Sequence, residues 1–121
     1  IGKNMSTLRL SDTLSDGASN VFFSEGFQMM IENHILRLVR SSTSTVINIS
    51  DSLAYQYEAD LFGLLLTQGI PPQYHFTTMR CNNLYSPTDY RSTLTSLVVP
   101  GFSEVDELLA IYTTSTSLSM G

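Results

Sequence analysis

The chain has 121 residues, the size of one small domain with extensions at its ends. Apolar residues make up 42% and charged residues only 14%, against roughly 25% in typical soluble domains, so much of the surface is expected to face other protein. The net charge of −5 and the sparse basic residues exclude the basic stripe that phosphate binding needs, and they disfavour anionic lipid; neither nucleic acid nor membrane is an expected partner.

In residues 1–23, Leu8, Leu10 and Leu14 alternate loosely with Ser, Thr and Asp. That pattern reads as a short strand or extended arm with a turn at Asp16-Gly17. Ser24 is placed to cap a helix running to about Arg40, with Phe27, Ile31, Ile35 and Leu38 as its apolar stripe. Glu25 and the pair Arg37 and Arg40 sit at the dipole ends that favour them. Ser41-Ser42-Thr43-Ser44 breaks the helix, and Thr45-Val46-Ile47-Asn48-Ile49 reads as a strand. Asp51 is expected to cap a second helix over about 52–67, buried through Leu53, Tyr57, Leu61, Leu64 and Leu65. Gly69 stops it, and Pro72 opens a third helix over about 73–82, with Phe76, Met79 and Arg80 on one side. Asn82-Asn83 ends that helix and Ser86-Pro87-Thr88-Asp89 turns the chain. Leu94 to Val99 is a second strand, closed by Pro100. Ser103 caps a last helix from Glu104 to about Tyr112, and the Ser/Thr-rich tail 113–121 is expected to be mobile or ordered only by a partner.

Residues 45–100 thus read strand, helix, helix, strand. They carry Ser50-Asp51-Ser52-Leu53 after the first strand, Asn82-Asn83-Leu84-Tyr85-Ser86-Pro87 after the last helix of the core, and Leu97-Val98-Val99-Pro100 at the close. In that order they resemble the LysM domain, whose pattern has Gly-Asp-Thr/Ser-Leu, then Asn-x-Leu-x-x-Pro, then Leu-x-Ile-Pro. Serine replaces the first glycine here, and Arg91-Ser92-Thr93 lacks the later one. A narrower stretch, Gly69-Ile70-Pro71-Pro72-Gln73-Tyr74-His75-Phe76, resembles a segment of a baseplate wedge protein of contractile phage tails, a family that embeds a LysM-like core.

The resemblance implies an α+β fold: an arm and amphipathic helix at 1–44, a LysM-like βααβ core at 45–100, and a helix and tail at 101–121. It also implies a structural protein of a tailed phage particle, in the tail, baseplate or neck. Such a protein would be assembled in the host cytoplasm and would contact other virion proteins, as a homo-oligomeric ring or part of a larger assembly. Met29, Met30, Tyr74, Phe76, Leu84 and Tyr85 are the expected contact residues. The alternative it implies is a peptidoglycan- or chitin-binding module, with a groove in which Asp51, Ser52 and Leu53 face Leu84, Tyr85 and Ser86.

Nothing in the residue pattern points to catalysis, a metal or a cofactor. His34 and His75 are the only histidines, on different helices, and a metal site needs several converging ligands. Cys81, the single cysteine, lies in the last turn of an apolar helix and reads as a small core residue. Glu58 with Asp60, and Asp106 with Glu107, are not spaced to share a helix face. Gly-x-Ser-x-Gly and glycine-rich phosphate loops are both missing. No stretch approaches the roughly 18–20 apolar residues of a membrane span. The start at Ile1 shows no signal-peptide pattern, though a chain that begins without Met reads as trimmed.

Overall fold

A computed structural model of the protein describes residues 23–120, with side chains as far as Thr114. The expected arm therefore lies outside the described residues, apart from Phe23. Helix α1 (Glu25–Arg40) begins as its sequence predicts: Ser24 Oγ accepts the Phe27 N–H at 3.2 Å. Phe27, Ile31 and Leu38 are buried along its inner face, and Ile35 packs against them half-buried.

The chain then enters a two-stranded antiparallel sheet of β1 (Thr45–Asn48) and β2 (Ser96–Val99). Thr45 pairs with Val99 and Asn48 with Ser96, and the Ile49 N–H extends the ladder to the Thr95 carbonyl at 2.7 Å. Alternate residues Ile47, Ile49, Leu97 and Val99 turn toward the core, while Val46 and Asn48 face outward.

Between the strands the structure has three helices rather than two. The expected continuous helix is split into α2 (Asp51–Gln56) and α3 (Leu61–Thr67). The split follows from Ala59, which takes a left-handed φ of 63° and gives its N–H to the Tyr90 carbonyl, and from Asp60, whose carboxylate accepts the Gly63 N–H and restarts the helix. Ser50, not Asp51, caps α2, because its hydroxyl accepts the Leu53 N–H at 3.2 Å while Asp51 is already the first helical residue. Gly69, at φ 78°, ends α3 as expected. The chain from Pro72 begins as one 3₁₀ turn (Pro72–Tyr74) and becomes α4 (His75–Cys81) only afterwards.

A second 3₁₀ turn, Pro87–Asp89, leads back to β2. Helix α5 begins at Phe102, ahead of the expected Ser103 cap, and continues to Met120, past the expected end near Tyr112 and through the Ser/Thr-rich tail as far as that residue. Thr113 shows how a threonine is accommodated there: its hydroxyl donates back to the Leu109 carbonyl at 3.0 Å. The fold is α+β, and the buried apolar side chains of α1, α3, α4, α5 and the inner sheet face join in one cluster. Gly26 lets α5 lie close on α1, because a Cβ there would strike the Tyr112 hydroxyl.

Candidate functional site

The C-terminal end of α4 is fastened to two other elements, β2 and α1. Asn82 ties the helix to β2 through its side-chain amide. Its Nδ2 donates to the carbonyls of Thr78 (2.7 Å) and Val98 (2.8 Å), and its Oδ1 accepts the Val98 N–H at 2.7 Å. The side-chain amide thus pairs with Val98 as a neighbouring strand would. Asn83 follows at φ 62°, the left-handed turn that asparagine tolerates. Leu84 folds back to pack half-buried on the core, with its N–H on the Met79 carbonyl.

Arg80 organises the surface beside this joint. Its side chain is 9% exposed and forms a two-pronged ion pair with Glu32 of α1, through Nε to Oε2 and through Nη2 to Oε1 at 3.0 Å. Nη1 donates to the Leu84 carbonyl at 3.0 Å. The hydrogen bond to Glu32 holds the guanidinium pKa above its ordinary value. Above it lies the Tyr85 ring, its centroid 3.9 Å from the guanidinium carbon. Tyr85 is nevertheless 71% exposed, and its N–H is fixed by Asp89 Oδ2 at 3.2 Å. The fixed cation therefore supports one face of an aromatic platform.

Tyr85 borders an apolar cavity of about 330 Å³, lined also by Phe23, Gln28, Phe62, Pro72, His75, Phe76, Met79 and Pro87. His75 Nε2 donates to the Ile70 carbonyl at 2.7 Å and the ring leans on Phe62, 5.3 Å between centroids. Burial pushes the His75 pKa below the usual imidazole value, which keeps the cavity wall neutral. The size suits one large side chain or one sugar ring, held by stacking and dispersion.

The expected contact residues are dispersed around the fold. Phe76 and Tyr85 share the cavity. Tyr74 does not reach it: only 7% exposed, it stacks on Phe102 at 4.1 Å and donates its hydroxyl to Asp106 at 2.9 Å. Burial, then Asp106, raises its pKa. Met29 is 64% exposed on α1 while its neighbour Met30 packs against the core. Asp51 and Ser52 are exposed on the first turn of α2 and Leu53 rests on the core; none of the three lines the cavity that holds Tyr85. Ser86 caps the following 3₁₀ turn, accepting the Thr88 N–H. Arg80, Glu32, Phe62 and Phe23 are the participants that sequence reasoning missed.

Other polar groups that drew notice in the sequence are engaged elsewhere or buried. Glu58 accepts the Ser92 N–H at 2.7 Å, and His34 Nδ1 donates to the Met30 carbonyl at 2.8 Å. Burial pushes the Cys81 thiol up to about 12, so it is not a thiolate at neutral pH. A recess of about 440 Å³ between α1 and α5 contains Arg37, Glu104 and Glu107, but the Glu104 carboxylate is bound by the Ser41 and Thr43 hydroxyls, which hold its pKa low. Among the described residues no three His, Cys, Asp or Glu side chains gather in a position to hold a metal ion, and no helix is long and apolar enough to cross a membrane.

Comparison with protein-family models, curated proteins and solved structures finds no match.

Proposed function

We propose that this chain is a non-enzymatic assembly protein of a tailed phage particle, in the tail, baseplate or neck, built on a LysM-like core at 45–100 that joins other virion proteins through side-chain contacts. The observation that carries the binding role is Tyr85, exposed yet fixed over Arg80 at the rim of an apolar cavity. A rigid aromatic beside an apolar socket is the arrangement that anchors protein contacts, because little side-chain entropy is lost on docking. The motif order and the low charge content support the assembly context.

A second reading, peptidoglycan or chitin binding, is favoured by the same platform, since the free face of Tyr85 offers a sugar a stacking surface. Two measurements separate them. Mass spectrometry of gradient-purified tailed particles from the source of the gene should find the chain at fixed stoichiometry; its absence from them would sink the assembly reading. Co-sedimentation with insoluble peptidoglycan should leave the folded chain in the supernatant. Saturable pelleting that Tyr85→Ala abolishes would transfer the site to the glycan reading.

A further inference from the structure

The two edges of the sheet are treated differently. The Ile49 N–H bonds the Thr95 carbonyl, so stepping by twos places Ile47 with Leu97, and Thr45 with Val99, in the hydrogen-bonded positions. Val46 and Asn48 on β1, like Ser96 and Val98 on β2, therefore direct N–H and C=O away from the ladder. On the β2 side Asn82 takes both outward groups of Val98. On the β1 side, among the described residues, no hydrogen bond reaches the outward backbone groups of Val46 or Asn48.

Such an edge is a template for another strand, and proteins that must stay apart guard it with charge, proline, a bulge or a cover. Residues 41–50 contain no charged residue and no proline. Val46, β-branched and 62% exposed, stands in the middle of the open edge. We propose that β1 pairs antiparallel with β1 of a second copy of this chain about a twofold axis, turning two two-stranded sheets into one of four strands. The edge is its own complement. Centred on Ile47, the pairing sets Val46 against the second copy's Asn48 twice, each pair exchanging both hydrogen bonds, with the two Ile47 residues opposite one another on the axis. A chain of net charge −5 repels its copies wherever acidic residues meet, and residues 41–50 bring none to the join. Four residues a side bury far less than a standard interface, so the dimer depends on concentration and strengthens where copies are held side by side. This pairing does not rest on the aromatic site.

Analytical ultracentrifugation of the full chain across a concentration series tests it. The wild type should pass from monomer toward dimer. Val46→Pro removes one outward N–H while leaving the β1–β2 ladder whole, and Val46→Lys places an ammonium group on each copy at the join. Both should retain the far-UV circular dichroism of the wild type and dimerise at least about tenfold more weakly, equivalent to about 1.4 kcal/mol. Tyr85→Ala should dimerise like the wild type. A wild type that stays monomeric throughout would overturn the proposal. So would a dimer that both Val46 substitutions leave intact, or one that Tyr85→Ala disrupts.

Discussion

The two ends of α4 use the same residue type in opposite ways. Before its first residue, Tyr74 is enclosed: its ring is flat against Phe102 and its hydroxyl is on Asp106, both from α5. Beyond its last residue, Tyr85 is turned outward, its inner face occupied by Arg80 and its outer face open. What stands opposite decides the difference. The N-terminal end meets the side of another helix, which can cover a ring and satisfy its hydroxyl. The C-terminal end meets the edge of a sheet and a charge from α1, which fix backbone and guanidinium but leave the last aromatic uncovered. One end is therefore an internal joint, and the other is a joint that also presents a surface.

If that contrast is right, the largest loss of stability should come from the polar fastening at the C-terminal end rather than from any aromatic. Asn82→Ala strips Val98 of its partners for both N–H and C=O at a half-buried position, and should cost about 2–3 kcal/mol. Denaturant unfolding followed by circular dichroism measures it. Asn82→Asp, which keeps the acceptor and loses the donors, should fall between the two. A cost under about 0.5 kcal/mol, the level of an ordinary surface change, would mean that water replaces the amide and the fastening is incidental.

Arg80→Met comes next. It leaves the Leu84 carbonyl without its donor and Glu32 without its counter-charge. The Glu32 side chain is partly in water, so the loss should be about 2 kcal/mol rather than the 3–5 of a fully buried pair. The platform also loses its support, so tryptic cleavage after Arg91, beyond the loop, should quicken in the native state.

How much of this was legible in the sequence follows the range of the interactions. Helix α1 could be read closely, because its cap, its stripe and its dipole charges are all local. The break between α2 and α3 could not. The apolar positions Leu53, Tyr57, Leu61, Leu64 and Leu65 run through it at helical spacing, and no glycine or proline marks Ala59, whose left-handed turn is tied to Tyr90 from a distant loop. The same holds at the site. Asn82 and Tyr85 stand out within a short motif, but the pairing of Arg80 with Glu32 crosses 48 positions and has no local signature. Nor could sequence alone separate Tyr74, enclosed, from Phe76, half-buried on the cavity wall in the same segment, because Phe102 and Asp106 cover the first ring. The helical Ser/Thr tail was missed because local propensity argues against it.

At the enclosed end, Tyr74→Phe removes the hydroxyl that donates to Asp106 and keeps the stacked ring, so it should cost about 1 kcal/mol. Asp106→Asn should cost no more, and the double variant should fall short of the sum, since both changes act on one contact. His75 supplies a slope rather than a step. Its folded pKa lies below the unfolded value of about 6.5, so its contribution is complete above that pH, where neither state binds the proton. As pH falls below it, the unfolded chain takes up a proton that the native chain refuses, and stability declines until the folded pKa is passed. Chemical unfolding at pH 7.5 and pH 5.5 should show the decline, and His75→Gln should flatten the part due to this ring.

The smallest effect on stability belongs to the residue given the largest role in binding. Tyr85→Ala removes an exposed ring whose stabilising contact is its stacking on Arg80, and exposed contacts of that kind contribute about 0.5–1 kcal/mol. Arg80 keeps Glu32 and the Leu84 carbonyl in the variant, so most of that small figure should be recovered, leaving a change of about 0.5 kcal/mol or less. Capture of particle proteins by the immobilised chain, with purified and dissociated tailed particles as the source, should meanwhile fall at least tenfold, because an anchor in a rigid site loses its whole contact when truncated. Tyr74→Phe, the costlier change to the fold, should leave capture untouched. If the two variants exchanged these outcomes, Tyr85 would be a structural residue and the open end of α4 would not be the working surface.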